Sequence, residues 1–386
     1  MIKVKIKTYI KTLLTSGLLL ISSNSLAAIH NVTTESELQT AISNSVDGDT
    51  INVTSGTYNL TTTLAIAKTL TIQGTGSSLT ALDGVNSNRI INFTGGTSKT
   101  LTLKNIQLQN GLSNDGSGGA GLLINSGTVN INSVSFKENS ATSGNGGAIA
   151  NSGTANISRT TFGFNHVLHG AANGSAIANA ALASLTIDYS SILNNVSDAN
   201  PSVSGAVHNQ GTLTISSTVL ADNTINCSVG TTVTSAGYNW QSDNSCVGLN
   251  LLTDLNNQID HGLSNTLENN GLIQVFQPTS TSALVNKSTS TCSGIDAVGT
   301  TVPQNVKCDI GAIEYFSPIT SIASASPISC RTDDDNDSDD DCDDYDDDDD
   351  AESREIFGAG SFNAMTSLLL FLSFIFNHLM RKFNDQ

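Results

Sequence analysis

Four segments of this chain can be laid under one another: AGLLINSGTVNINSVSFKEN (120–139), GGAIANSGTANISRTTFGFN (146–165), GSAIANAALASLTIDYSSILNN (174–195) and SGAVHNQGTLTISSTVLADN (204–223). Each reads small-small-apolar, then Asn, then a short alternating run, then a bulky residue three places before another Asn, with a period of 26 to 30 residues. Asn125, Asn151, Asn179 and Asn209 share one column, and Asn139, Asn165, Asn195 and Asn223 share another. Between them lie two apolar columns, Ile131, Ile157, Ile187, Ile215 and Phe136, Phe162, Ile192, Leu220. A fixed period of this length specifies stacked units, each burying its apolar face against its neighbours.

The residues choose the kind of stack. Thr, Ser, Asn, Gly, Val and Ile dominate, strands of four or five residues alternate in period two, and Gly/Asn/Ser clusters divide them. That pattern predicts an all-β parallel β-helix in which the Asn columns form stacked amide ladders. Upstream, Glu37 to Asn44 predicts a short capping helix, and 51–53, 64–66 and 70–72 predict the first strands.

The ends of the chain point to export. Lys3, Lys5, Lys7 and Lys11 precede an apolar core from about Leu13 to Ile21 and the small-residue pattern Ser25-Leu26-Ala27. This is the order of a secretory signal peptide, cut after Ala27 or Ala28. An oxidising compartment then lets the six cysteines pair. Neighbour pairing, Cys227 with Cys246, Cys292 with Cys308 and Cys330 with Cys342, is the simplest of about 15 connectivities.

The net charge of −18 is unevenly spread, because 14 aspartates fall within 333–350, whereas 28–329 carries 17 acidic and 8 basic residues. No basic patch for nucleic acid is present. The aspartate block is expected to remain an extended spacer. Asp333, Asp335 and Asp337 have calcium-loop spacing, but Ser338 stands where the loop needs glycine, so only weak calcium binding is expected and no other cofactor. The final apolar run, Ala364 to Phe376, is short for a bilayer span, with Gly358, Ala359, Gly360 and Ser361 at its outer edge and Arg381 and Lys382 as a basic stop.

Enzyme chemistry finds little support in the columns. Glu138 and Asp222 occupy the same position three coils apart, or about 14 Å at about 4.8 Å per step, beyond the reach of a carboxylate pair in glycoside hydrolysis. Asp188 has no acidic column neighbour, and no Asp pair adjoins His169-Gly170 or His261-Gly262. His166, His169 and His208 are expected as solvated side chains at turns or coil faces. Tyr238-Asn-Trp240 either packs a disulfide-closed loop or offers a sugar-stacking platform, and packing is the preferred expectation.

Resemblance extends these readings. DGDTI and GTY in the entry segment resemble the start of pectate-lyase-like β-helix proteins. Gly146 to Ile149 and Phe162 to Asn165 are similar to the chlamydial polymorphic outer-membrane repeat, and SAGYNWQSDNSC and CDIGAIEY resemble the closing part of choice-of-anchor surface proteins. Together they imply a right-handed, pectin-lyase-like parallel β-helix. The order of acidic spacer, Gly358-Ala359-Gly360-Ser361, short helix and basic end resembles the GlyGly-CTERM sorting tail, with an alanine between the two glycines. The whole chain resembles the rhombotarget A family.

That resemblance implies a rhomboid-family sorting protease as partner, together with the secretion machinery. The expected organisation is a signal peptide at 1–27 and a β-helix at 28–316, with its cap at 28–60, repeats at about 100–225 and a disulfide-containing closing region at 226–316. An Asp-rich linker at 317–357 and a sorting signal at 358–386 complete it. The expected function is non-catalytic: an adhesin-like or structural protein with a glycan or cell-surface ligand. It would be held at the inner membrane before processing and then displayed at the surface or released. The alternatives are a polysaccharide-degrading or polysaccharide-binding β-helix, and a periplasmic protein kept permanently in the inner membrane.

Overall fold

In the computed structural model the described residues are 26–316, apart from 171, 199–202 and 290. The signal-peptide core, Cys330, Cys342, the aspartate block with Asp333, Asp335 and Asp337, Gly358 to Ser361, and Arg381 and Lys382 lie outside them.

The chain winds into a parallel β-solenoid of about 6 turns. Its first stack runs Ile29–Val32, Asp49–Asn59, Leu70–Asp83, Thr100–Gln109, Thr128–Lys137, Thr154–Ser158, Ser184–Asp188, Thr212–Ser216 and Thr234–Gly237. A branch of this stack adds Thr161–Gly163, Ser191–Leu193, Val219–Ala221 and Trp240–Gln241. The second stack is Leu64–Ile66, Ile91–Thr94, Leu122–Ser126, Ile149–Asn151, Ile177–Asn179 and Val207–Asn209. A third, of two-residue strands, is Leu112–Ser113, Ser140–Ala141, His166–Val167 and Val196–Ser197. Regular coils thus begin near Asp49, well before the first recognisable sequence repeat at 120.

Period-two alternation accounts for the interior. Leu101 and Leu103, Val129 and Ile131, Leu185 and Ile187, and Leu213 and Ile215 point inward and are buried, while the Thr, Asn and Ser residues between them face out. Phe136 and Phe162 stack with ring centroids 4.9 Å apart and planes within 2°.

The early coils depart from the expected four or five residues per strand: their strands run 10 to 14 residues and bend at Asn105 and Ser133 instead of breaking. The bend is a left-handed backbone position repeated in each coil at Asn105, Ser133, Arg159, Tyr189 and Ser217. A second such corner recurs at Asn110, Glu138, Phe164, Asn194 and Asp222. Non-glycine residues enter this region at a cost, so their recurrence at matched positions reflects the coil's shape overriding local preference.

The amide columns form as continuous buried ladders, with one correction. Asn151 donates to Asn179 and Asn179 to Asn209, each at 2.7 Å. Asn139, Asn165, Asn195 and Asn223 connect at 3.0, 2.9 and 3.0 Å. Each of these four amides also donates to the main chain: Asn139 to Leu108, Asn165 to Phe136, Asn195 to Phe162 and Asn223 to Ile192. Asn125 is not in its ladder: Asn151 lies opposite Ile124, and a register shift turns Asn125 outward, where it is exposed and donates to Asn92 at 2.7 Å. A one-residue bulge redirects the side chain although the letters align.

A further ladder was not apparent in the sequence. The hydroxyls of Ser190 and Thr218 and the amide oxygen of Asn239 each accept the backbone N–H of the preceding coil, from Thr160, Ser190 and Thr218 at 3.2, 3.3 and 3.2 Å. Thr160, Ser190 and Thr218 in turn donate to the carbonyl two residues earlier, at 2.8, 2.8 and 2.7 Å.

The helix spans Glu35–Asn44, two residues earlier than expected, because Thr34 caps it by accepting the Glu37 N–H at 3.2 Å. Leu38, Ala41 and Ile42 are buried against the first strands. Lys68 Nζ donates to the carbonyls of Ile42, Ser43 and Ser45, supplying a cation where the helix leaves carbonyls unpaired.

After the last coil the chain becomes an arm along the side of the stack. It reaches the early coils, where Leu272 accepts the Thr80 N–H at 3.0 Å and the Gln274 N–H meets Gln107 at 3.1 Å. It then returns until the Gly311 N–H bonds Ser217 at 2.9 Å. Phe276, Leu284 and Ile310 of the arm bury Leu193, Val219, Ala221 and Trp240 of the coils. A β-carbon at Gly163 would come within 2.9 Å of the Leu267 and Phe276 side chains, so glycine here favours the arm's close approach. Cys227–Cys246 and Cys292–Cys308 are disulfides, as neighbour pairing requires.

Asn165→Ala removes the acceptor of Asn139 and the donor to Phe136 in a dry interior. At about 1 to 1.5 kcal/mol per lost bond it is expected to destabilise the fold by about 3 kcal/mol. Asn125→Ala, on the exposed bulge, is expected to change stability by less than about 0.5 kcal/mol. Urea denaturation of both variants checks this.

Candidate functional site

The second residue of each strand in the second stack points away from the core. Leu123, Ala150, Ala178 and His208 pair in register and form one continuous row. They are not solvated as outer-face residues usually are, because loops rise on either side. Gly116, Ser117, Gly144 and Asn145 build one wall, Ser152, Ala180 and Gln210 the other, and the groove between holds about 220 Å³.

The walls are held by specific contacts. Arg89 is only 9% exposed and reaches under the first loop. It donates to Asp115 at 2.9 and 2.8 Å, to Ser113 at 2.9 Å, and to the carbonyls of Gly118 and Gly119 at 3.0 and 3.2 Å. Its guanidinium holds the Asp115 carboxyl far below the usual carboxylate range. Gly118, with φ +70°, lies so close to the Asn145 carbonyl that a β-carbon would overlap it, which locks the first loop onto the second.

His208 was expected as a solvated side chain, and the structure corrects this: it forms part of the groove lining and is half-buried. Burial lowers its pKa, so the imidazole is neutral at pH 7, and Nδ1 has no hydrogen-bond partner. The groove therefore combines a small apolar floor with a half-buried imidazole at one end, whose Nδ1 is itself buried.

The other titratable residues act as fasteners. His166 pairs with Asp198 at 2.8 Å. His261 turns away from its sequence neighbour Asp260 as a partner and receives Asp222 from 39 residues away: Nε2 lies 2.9 Å from Asp222, while Nδ1 accepts the Leu263 N–H at 2.9 Å. This clasp holds the arm against Trp240, whose ring meets His261 edge-on. Trp240 is fully buried, in keeping with packing. Asp188 accepts the Ser216 hydroxyl at 2.7 Å, and burial raises its pKa. Glu138 and Asp222 sit at matched corners three coils apart.

In the arm, CDIGAIEY contributes to a knot of carboxylates. Asp296 accepts the N–H groups of Val298, Thr300 and Glu314 at 2.9, 2.8 and 3.0 Å. Asp309 accepts those of Asn286 and Tyr315 at 2.7 and 2.6 Å, and Glu314 those of Gln304 and Asp309 at 3.0 and 3.1 Å. Burial raises all three pKa values, that of Asp309 to about 6. Among the described residues no group of three or more His, Cys, Asp or Glu is arranged to hold a metal ion. No protein-family model, curated protein or solved structure matches the chain.

Two measurements follow from these contacts. Arg89→Met leaves two buried carbonyls and Asp115 without their donor. It is expected to cost about 2 kcal/mol in denaturant titrations and to speed amide exchange across 113–119. Asp309 keeps its proton in the folded chain over a pH range in which the unfolded chain, with the ordinary value of 3.8, has released it. Its contribution is therefore complete below about pH 4 and declines as pH rises through about 6. Asp309→Asn is expected to flatten this decline, read from the fluorescence of Trp240, the single tryptophan, in melts at pH 4 and 7.

Proposed function

We propose that this is an exported, non-catalytic β-solenoid whose lateral groove binds an extended surface polymer, a glycan in the first instance. It acts as an adhesin-like or structural interaction protein. The observation that carries the reading is the groove floor: one position repeated in four consecutive coils, Leu123, Ala150, Ala178 and His208. A row advancing about 4.8 Å per coil suits a ligand that is itself long and regular. The involvement of Asp222, His261, Asp296, Asp309 and Glu314 in structural contacts supports a binding role over a hydrolytic one.

In this proposal the winding is right-handed and pectin-lyase-like, and the helix at Glu35–Asn44 is the N-terminal cap. The tail from Gly358 inserts transiently in the inner membrane until a rhomboid-family protease cuts near Gly360 or Ser361. The body then reaches the surface or the medium.

Two results would test this. Intact mass of the exported protein is expected to place its C-terminus near Gly360 or Ser361, dependent on that protease. A chain ending at Gln386 in the inner membrane would refute the sorting reading. Ala178→Arg fills the groove without touching the core, and is expected to reduce binding to isolated cell-surface glycans at least about tenfold, or about 1.4 kcal/mol, at unchanged melting temperature. Equal binding by this variant would refute the groove.

A further inference from the structure

Asp49 opens the first long strand with only 2% of its surface exposed, and three groups converge on its carboxylate. The Ala28 N–H donates to Oδ1 at 2.7 Å, the Val46 N–H donates to Oδ2 at 2.9 Å, and His30 Nε2 lies 3.0 Å from Oδ2. Ala28 is held from its other side as well, since its carbonyl accepts the Thr50 N–H at 2.8 Å and the register continues as Ile29 opposite Thr50. The Ala28 nitrogen is therefore fixed against a buried carboxylate at the point where the export signal is expected to end.

We propose that Asp49 is the receptor for the α-ammonium group released when the Ala27–Ala28 bond is cleaved, so that signal removal completes the first coil. The proposal rests on the export reading and selects between its two cutting positions. A cut after Ala28 would leave Oδ1 without its donor, remove the carbonyl that accepts from Thr50, and place Leu26 where such sites need a small residue. A cut after Ala27 has Ser25 there instead.

The step is a hydrolysis by a signal-removing endopeptidase. Water supplies its oxygen to the Ala27 carbonyl carbon, the C–N bond breaks, and the Ala28 nitrogen departs with one water hydrogen. That amine takes up a further proton at neutral pH, its ordinary pKa being about 7.7 to 8.0. A neutral donor with one hydrogen thereby becomes a cation with three, and the hydrogen bond to Asp49 becomes charge-assisted on both sides.

The Ala28 N–H is already the largest influence lowering the Asp49 pKa, to about 2, ahead of His30 and Val46. Nearby, Asp47 is engaged by Lys99, and Lys68 by the helix carbonyls. The ammonium gains an anionic partner, so its folded pKa rises. Stabilisation is present below about pH 8 and is lost as pH climbs through the higher folded value.

The exported chain, purified from the cells that make it, is sequenced from its N-terminus and its amines are reductively methylated at pH 7, folded and in urea. Ala28 is expected as the first residue. Its α-amine is expected to react about tenfold more slowly in the folded chain, corresponding to one pKa unit, and Asp49→Asn is expected to abolish that protection. A chain beginning at Ile29, or an Ala28 amine equally reactive folded and unfolded, would overturn the latch. Retention of Met1 would overturn the export reading itself. Should Asp49→Asn fail to fold, the comparison of folded and urea-treated wild-type chain still decides.

Discussion

Hydrogen bonding between coils, including through amides that no water reaches, is the constraint on which this molecule depends. A solenoid of short strands has little sequence-local reason to keep its register, since each strand of three to five residues could slip by two and still bury alternate side chains. Asn139, Asn165, Asn195 and Asn223 remove that freedom. Each amide oxygen from Asn165 onward takes both the backbone N–H and the side-chain N–H of the preceding ladder member, so a slipped coil would leave several buried polar groups unpaired. The hydroxyl ladder through Ser190 and Thr218 does the same at the other corner.

That economy of polar contacts extends to the charges. Arg89 and Asp115 shape a groove wall, Asp222 and His261 clasp the arm, and Asp296, Asp309 and Glu314 gather main-chain N–H groups where no regular strand exists to pair them. The arm needs such fasteners because, among its described residues between 243 and 316, paired strands are limited to one three-residue hairpin, Glu268–Asn270 with Ile273–Val275. Its carboxylates act in place of a ladder. The apolar cluster around Trp240 and Phe276 supplies the burial that makes the arm adhere.

Function, on this view, belongs to what the coils leave over. The second stack's outer row is recessed between loops, and its residues are small except for Leu123 at one end and His208 at the other. At the opposite extremity of the solenoid the buried Asp49 carboxylate accepts the Ala28 N–H and so fastens the strand that opens the first stack.

The sequence by itself determined the solenoid, because stacked coils place like residues on like, and that physical identity is visible as columns of Asn, Ile and Phe. Neighbour pairing was the simplest connectivity it offered for the cysteines, which the structure bears out at 227–246 and 292–308, and it placed the helix to within two residues. The structure alone decided what depends on backbone detail or distant contact. Asn125 left its ladder because a bulge, invisible in the letters, turned it outward. His208 became part of a groove because residues of neighbouring loops rose beside its row. Asp222 found His261 only after the arm had folded back, since pairing across 39 residues follows from packed shape and not from spacing.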